Sequence, residues 1–190
     1  MVRMVYRVIE PSIVAGSFEA KPKIFYRAGK GFGRNEEEFD SKNKNQALMV
    51  ANGPKIWMIN LFTKSGKYII DESPTHAFHA PILPIPPLEQ DKNNIFEYGQ
   101  EMEFFAKNHA KKGAKETIEG VKCDSLELDH VSFHLVLYIG ADSHLPVKLN
   151  IYQKGQMIFA LRYLEYQPKL PFNATLFQPP GGLKLEEDVD

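Results

Sequence analysis

Between Val121 and Gln167, four strand-like runs follow one another with very little chain between them. They are VKCDSLEL (121–128), FHLVLYIG (133–140), PVKLNIYQ (146–153) and MIFALRYLEYQ (157–167). Only Asp129-His130, the loop 140–145 and Lys154-Gly155 separate them. Connections this short leave no room for a crossover helix, so successive strands are antiparallel neighbours. The same habit shows upstream in ALMVANGPKIWMINLF (47–62), where Asn52-Gly53 lies between two apolar runs and supplies the positive φ angles of a hairpin turn. Lys64-Ser65-Gly66-Lys67 reads as a second turn before the short run 68–70. KIFYRA (23–28) reads as a strand, and the polar stretch 34–46 as an exposed strand or loop. The expectation is mainly β (α+β): eight to eleven strands in one curved antiparallel sheet or incomplete β barrel.

The middle of the chain changes character. HAPILPIPPLEQ (79–90) holds four prolines, which suits an extended strap and excludes a central strand. Beyond it, NIFEYGQEMEFFAKNHAKKG (94–113) has Ile95, Tyr98, Met102, Phe105 and His109 at spacings of three and four. That stripe predicts a covering helix over about 95–112. Glu97 and Glu101 lie early in it, Lys107, Lys111 and Lys112 late, and Gly113 stands where a C-cap belongs. The acidic residues of 184–190 read as a solvated tail.

At 190 residues, 43% hydrophobic and 25% charged, the chain is long enough for one folded domain over 1–190 and short for two. Its 23 basic and 24 acidic residues leave a formal charge of −1, which gives no electrostatic case for a nucleic-acid partner. No run approaches the roughly 18 apolar residues of a membrane span. Arg3, Arg7 and Glu10 interrupt the first apolar stretch, which is therefore no signal peptide.

Several strands are apolar on both faces. Trp57, Ile59 and Leu61 point one way and Ile56, Met58 and Phe62 the other, while Phe133, Leu135, Leu137 and Ile139 share a face. A sheet closed around a hydrophobic lumen explains this, and so does a central strand of an ordinary β core. The apolar ligand-binding candidates are Trp57, Ile59, Leu61, Tyr98, Met102, Phe105, Phe133, Leu135 and Leu137.

Reactive chemistry is not evident. Gly29-Lys30-Gly31-Phe32-Gly33 lacks the ending of a phosphate-binding loop and reads as a glycine-rich turn. His76 and His79, or His130 and His134, lack the carboxylate motif of a metal site. Cys123 in a strand reads as a small buried hydrophobe, although His130 or His134 in space would give it a base. Glu36, Glu37 and Glu38 read as a solvated face, and 107–115 as a helix end complementing the dipole. No catalytic residue, metal or cofactor is expected.

Taken in order, some short motifs resemble the superfamily of the periplasmic lipoprotein carrier LolA and its partner LolB, including the outer-membrane lipoprotein-sorting proteins. They are Asn52-Gly53-Pro54-Lys55-Ile56-Trp57, the helix at 97–112, Gly120-Val121-Lys122-Cys123, Leu145-Pro146-Val147-Lys148-Leu149, Tyr163 and Phe177-Gln178-Pro179-Pro180-Gly181. The likeness spans about 45–182. It implies a half-open barrel closed by helices around an acyl-chain cavity, and a non-enzymatic carrier of lipid-like ligands. It also implies residence in the periplasm or cell envelope, after a signal peptide upstream of Met1; without such a signal the chain is cytoplasmic. Lipoproteins or another envelope protein are the implied partners. A sensor or assembly module with a protein partner, or an enzyme on a hydrophobic substrate, are the alternatives. The carriers' long N-terminal helix has no counterpart ahead of Lys21, and neither Arg27 nor Arg34 aligns securely with their functional arginine.

Overall fold

Alternation of apolar and polar residues, interrupted by residues that tolerate positive φ, builds this chain as strands joined by tight turns. In the computed structural model, residues 1–9, 13–14, 17–73, 75–83 and 95–188 are described. Of the described residues 51% are in strands and 6% in helices, and the chain divides into two compact units.

The first unit comprises Met1–Val5, Lys21–His79 and Gln167–Asp190. Its meander runs β2 (Lys23–Ala28), β3 (Phe32–Glu37), β4 (Ala47–Asn52), β5 (Lys55–Asn60) and β6 (Ser65–Ile70), each antiparallel to the next. β1 (Val2–Val8) begins in this unit and ends in the other. β13 (Lys184–Glu187) lies parallel to β6.

The second unit comprises Tyr6–Ala20 and Ala80–Tyr166. It contains α1 (Glu101–Lys107), the short strands β7 (Lys111–Lys112) and β8 (Glu116–Ile118), then β9 (Val121–His130), β10 (Phe133–Gly140), β11 (Pro146–Gln153) and β12 (Gln156–Gln167). β9 to β12 pair antiparallel in sequence order. Among the described residues the hydrogen-bonded order is β13-β6-β5-β4-β3-β2-β1-β12-β11-β10-β9-β7, with β8 beside β9. The order has two ends, β13 and β7, that do not pair with each other. Among the described residues the chain therefore folds as a mainly β structure, an unclosed and mainly antiparallel sheet with one α-helix and one short 3-10 helix, Ala174–Phe177.

Four local expectations are corrected. The hairpin at 47–60 forms, but its loop is Gly53-Pro54, because Asn52 pairs with Lys55. Gly53 carries the positive φ of +58°, and proline holds the following residue in the ordinary range. The second turn falls earlier than Lys64–Lys67: Lys64 has φ +53° and Ser65 already belongs to β6.

The helix is seven residues long rather than covering 95–112. The backbone of 96–98 bonds elsewhere: Ile82 N donates to Phe96 O at 3.0 Å, and Tyr98 N to Ala80 O at 2.9 Å. Gly99 then turns the chain with φ +79°. At the other end the Asn108 side chain donates to Phe104 O at 2.7 Å, and His109 enters the left-handed region. Lys111 and Lys112 pair with Glu127 and Leu126, so Gly113 follows a strand and is no C-cap. Residues 84–94, which hold most of the proline strap and Asn94 of the helix reading, lie outside the described residues.

The acidic stretch 184–190 is likewise no free tail over its described part. Lys184 to Glu187 pair in register with Ser65 to Tyr68.

Candidate functional site

Strand register decides which side chains meet. In the second unit, Leu128, Leu135, Ile151 and Phe159 are cross-strand partners in turn, as are Leu126, Leu137, Leu149 and Leu161. Leu135, Leu137, Leu149, Ile151 and Leu161 are all 0% exposed. α1 lies against β9. It contributes Phe104 and Phe105, both buried, and the Phe104 ring meets the buried His130 ring edge-on at 5.4 Å. Phe96 stacks near both phenylalanines, 4.6 Å from Phe104 and 6.0 Å from Phe105 between centroids. Such aromatic contacts add modestly to the area each ring removes from water.

A carboxyl sits in this apolar setting. Glu101, the first residue of α1, is 0% exposed. The Tyr163 hydroxyl donates to its Oε1 at 3.1 Å, the Tyr166 hydroxyl to Oε2 at 3.1 Å, and the Gly99 N–H to Oε1 at 3.1 Å. Burial pushes the Glu101 carboxyl above its ordinary range, more than these bonds pull it back. Tyr163 and Tyr166 are raised as well, first by burial and then by the neighbouring carboxyl. The group is therefore held toward its neutral form. From sequence, Glu101 is only an acidic residue early in the predicted helix, in agreement with its dipole. Its burial carries no composition signal, because it depends on β12 supplying two tyrosines three residues apart.

In the first unit, Leu48, Val50 and Ile59 form a buried cluster, with Trp57, Leu61, Leu183 and Leu185 packed against it. Leu48 pairs with Ile59 and Val50 with Trp57, so they share a face. Met58, on the opposite face, is 47% exposed. Gly66 is forced by crowding: a Cβ there would strike the Met58 carbonyl and crowd the Ile59 backbone. Leu185 sits opposite this side-chain-free position in the register.

Of the nine residues proposed from sequence, Trp57, Ile59 and Leu61 fall in the first unit, and the other six in the second. The faces are as expected: Trp57, Ile59 and Leu61 share one cluster, and Phe133, Leu135 and Leu137 one side of β10. Met102 and Phe105 are on α1, Met102 half-buried and Phe105 at 0%. Tyr98 precedes the helix and lies on Tyr6, ring centroids 5.0 Å apart.

The polar candidates do not converge. His130 pairs with Phe133 and His134 with Asp129, which puts the two histidines on opposite faces. His134 Nδ1 lies 2.9 Å from Asp129 Oδ1. Cys123 pairs with Gly140, six residues from Asp129 along β9, so about 20 Å of strand separates it from the His134 pair. Burial pushes the Cys123 thiol up, away from thiolate reactivity. A pocket of about 310 Å³ opens beside Cys123 among Lys115, Glu116, Lys122 and Asp124, and this mixed charge does not suit an acyl chain. Among the described residues no three His, Cys, Asp or Glu side chains come together as metal ligands. No helix of the described residues is long and apolar enough to cross a membrane.

No protein-family model matches the chain, and no curated protein sequence does. Solved structures do resemble it. An uncharacterised conserved protein from Thermus thermophilus is 10% identical, with a TM-score of 0.53 over 98% of this chain and 90% of that one. A structure of the Pseudomonas aeruginosa MucA/MucB complex matches at 11% identity and a TM-score of 0.50, over 96% of this chain and 56% of that chain. This chain thus spans little more than half the length of that relative. A LolA superfamily protein from Nitrosomonas europaea, 10% identical over 94% of this chain and 89% of its own, gives a TM-score of 0.37, too loose a likeness to argue from. What the first two share with this chain is a fold.

Proposed function

We propose that this chain is a non-enzymatic binding protein of the bacterial cell envelope whose ligands are lipid-like, with lipoprotein acyl chains the closest chemical class. The observation that carries the reading is the largely aliphatic sheet face of the second unit under a seven-residue helix. The helix presents Phe104 and Phe105 to that side, and burial holds its inward carboxyl, Glu101, toward the uncharged form. An acyl chain gains affinity from area removed from water and loses it to any ionised group it must face. Phe105, Leu135 and Leu137 are fully covered, so a ligand reaches them when α1 moves off the sheet. A short helix with few turns to unmake suits that movement. The six named residues of the second unit, Tyr98, Met102, Phe105, Phe133, Leu135 and Leu137, are the proposed ligand contacts. The MucA/MucB likeness, to a complex of two proteins, favours protein partners as a second reading.

The test is uptake of a fluorescent fatty acid, with displacement by long-chain lipid. Met102→Glu places a charge on the half-buried side of α1. It should weaken uptake at least tenfold, the equivalent of about 1.4 kcal/mol. Glu103→Lys, a charge change at an exposed position on a different face of the same helix, should leave uptake unchanged. A folded protein that takes up no probe overturns the lipid reading, and cell fractionation of the full gene product tests the envelope setting.

A further inference from the structure

We infer that the edge of β6 on which β13 now lies, with the apolar face beside it, is a docking site for an extended peptide segment of a partner protein. That segment would have leucine-like residues two apart followed by acidic ones, and Leu183–Asp188 of this chain is its built-in competitor. The inference is independent of lipid uptake, which concerns the second unit.

Three observations define the site. The first is main-chain pairing: Lys184 N donates to Lys64 O at 2.9 Å and Asp188 N to Tyr68 O at 2.9 Å, bracketing a four-residue parallel ladder. Addition of a strand to an exposed edge is a general mode of peptide recognition, with alternate side chains reading the surface. The second is a place for leucine. Gly66 cannot carry a side chain because β5 crowds it, and Leu185 opposite it, with Leu183, packs on Leu48, Val50 and Ile59. Trp57 and Leu61 flank the same cluster. The third is charge. Lys67 meets Asp188 at 2.7 Å and lies opposite Glu186 in the register, and the Tyr68 hydroxyl donates to Glu187 at 3.1 Å. The site thus reads backbone, two apolar side chains and an acidic end.

The segment that fills it is held lightly. Among Lys184–Glu187 only Leu185 is even half-buried, and the Lys67–Asp188 pair is largely exposed on the lysine side. Exposed pairs of this kind add little. A partner segment of the same pattern takes the edge once its affinity or local concentration exceeds the advantage that the tether gives this chain's own segment.

The probe is a fluorescein-labelled peptide of residues 181–188, offered to the intact chain and to a variant lacking residues 183–190. The variant should bind the peptide, and the intact chain at least tenfold more weakly. Leu185→Asp in the peptide should abolish binding, and Lys67→Glu in the protein should weaken it with a flatter salt dependence. Should the truncated variant fail to fold, the full-length Leu183→Ser, Leu185→Ser protein takes its place, with the same expectation. The inference is overturned if a folded variant binds no peptide, or binds it regardless of Leu185→Asp. It is also overturned if the truncated variant pairs only with a second copy of itself, takes up only the fatty-acid probe, or if neither variant folds. Fatty-acid uptake by the intact chain, present or absent, leaves this result untouched, so the two readings fail separately.

Discussion

The two units each bury an apolar sheet face, and they seal it by different means. In the second unit five aliphatic side chains reach 0% exposure beneath a helix that supplies two phenylalanines. In the first, Leu48, Val50 and Ile59 are buried, yet Trp57 and Leu61 stay half-buried, and the cover is Leu185 on a short edge strand with Leu183 just before it. The same alternating pattern in sequence thus yields a closed core in one place and a lightly covered surface in the other. What differs is the covering element: aromatic rings on a helix fill volume in every direction, whereas an edge strand offers one side chain in two to the face below.

If that contrast is real in energy, truncations should separate the units. Leu137→Ala should cost about 2–5 kcal/mol in urea unfolding, because it opens a cavity the surrounding strands cannot collapse into. A loss under about 1 kcal/mol would mean that the second core is loosely packed, and the comparison would break.

The next effect belongs to Glu101. Its folded carboxyl is raised above the ordinary value of 4.5, so the folded protein keeps a proton that the unfolded chain has released. The stability this contributes is fully present below pH 4.5, and it is lost as pH rises from there through the raised folded value. Between those two limits the slope is at most about 1.4 kcal/mol per pH unit. Glu101→Gln should abolish that part of the pH dependence and make the protein more stable than the parent at the alkaline end. Parallel stability profiles for parent and variant would place the carboxyl in water instead.

Smallest of all, Leu185→Ala should cost about 1 kcal/mol, since the side chain is only partly removed from water. A cost approaching that of Leu137→Ala would erase the difference between the two covers and, with it, the notion of a replaceable strand.

Much of the sheet was legible before any coordinates. β2, β10 and β11 coincide with the runs read from sequence, because each is bounded by turn residues and all three lie between two neighbouring strands, where burial demands apolar side chains. β1 was overlooked: its apolar stretch was weighed as a leader, although Met4 and Tyr6 alternate inward as strand residues do. The helix was overextended because Ile95, Tyr98 and His109 satisfy a helical period by coincidence. The backbone of 96–98 is drawn instead into bonds with 80–82, a pairing distant in sequence that no local pattern announces. β13 was invisible for the opposite reason. A polar edge strand needs no apolar alternation, so Lys-Leu-Glu-Glu reads as a tail until its partner is known. For the proposed site, the faces were readable from period two, whereas the buried carboxyl and its two tyrosines were not, since they come together from positions 62 and 65 residues apart.

The carboxyl at the start of α1 also gives the molecule a calorimetric signature. Any event that lifts this helix into water, whether ligand uptake or thermal opening, returns Glu101 to an ordinary acid. At a pH between the two values, that event sheds a proton into the medium. Its measured heat would then vary with the ionisation enthalpy of the buffer, whereas a change confined to the first unit would register the same heat in every buffer.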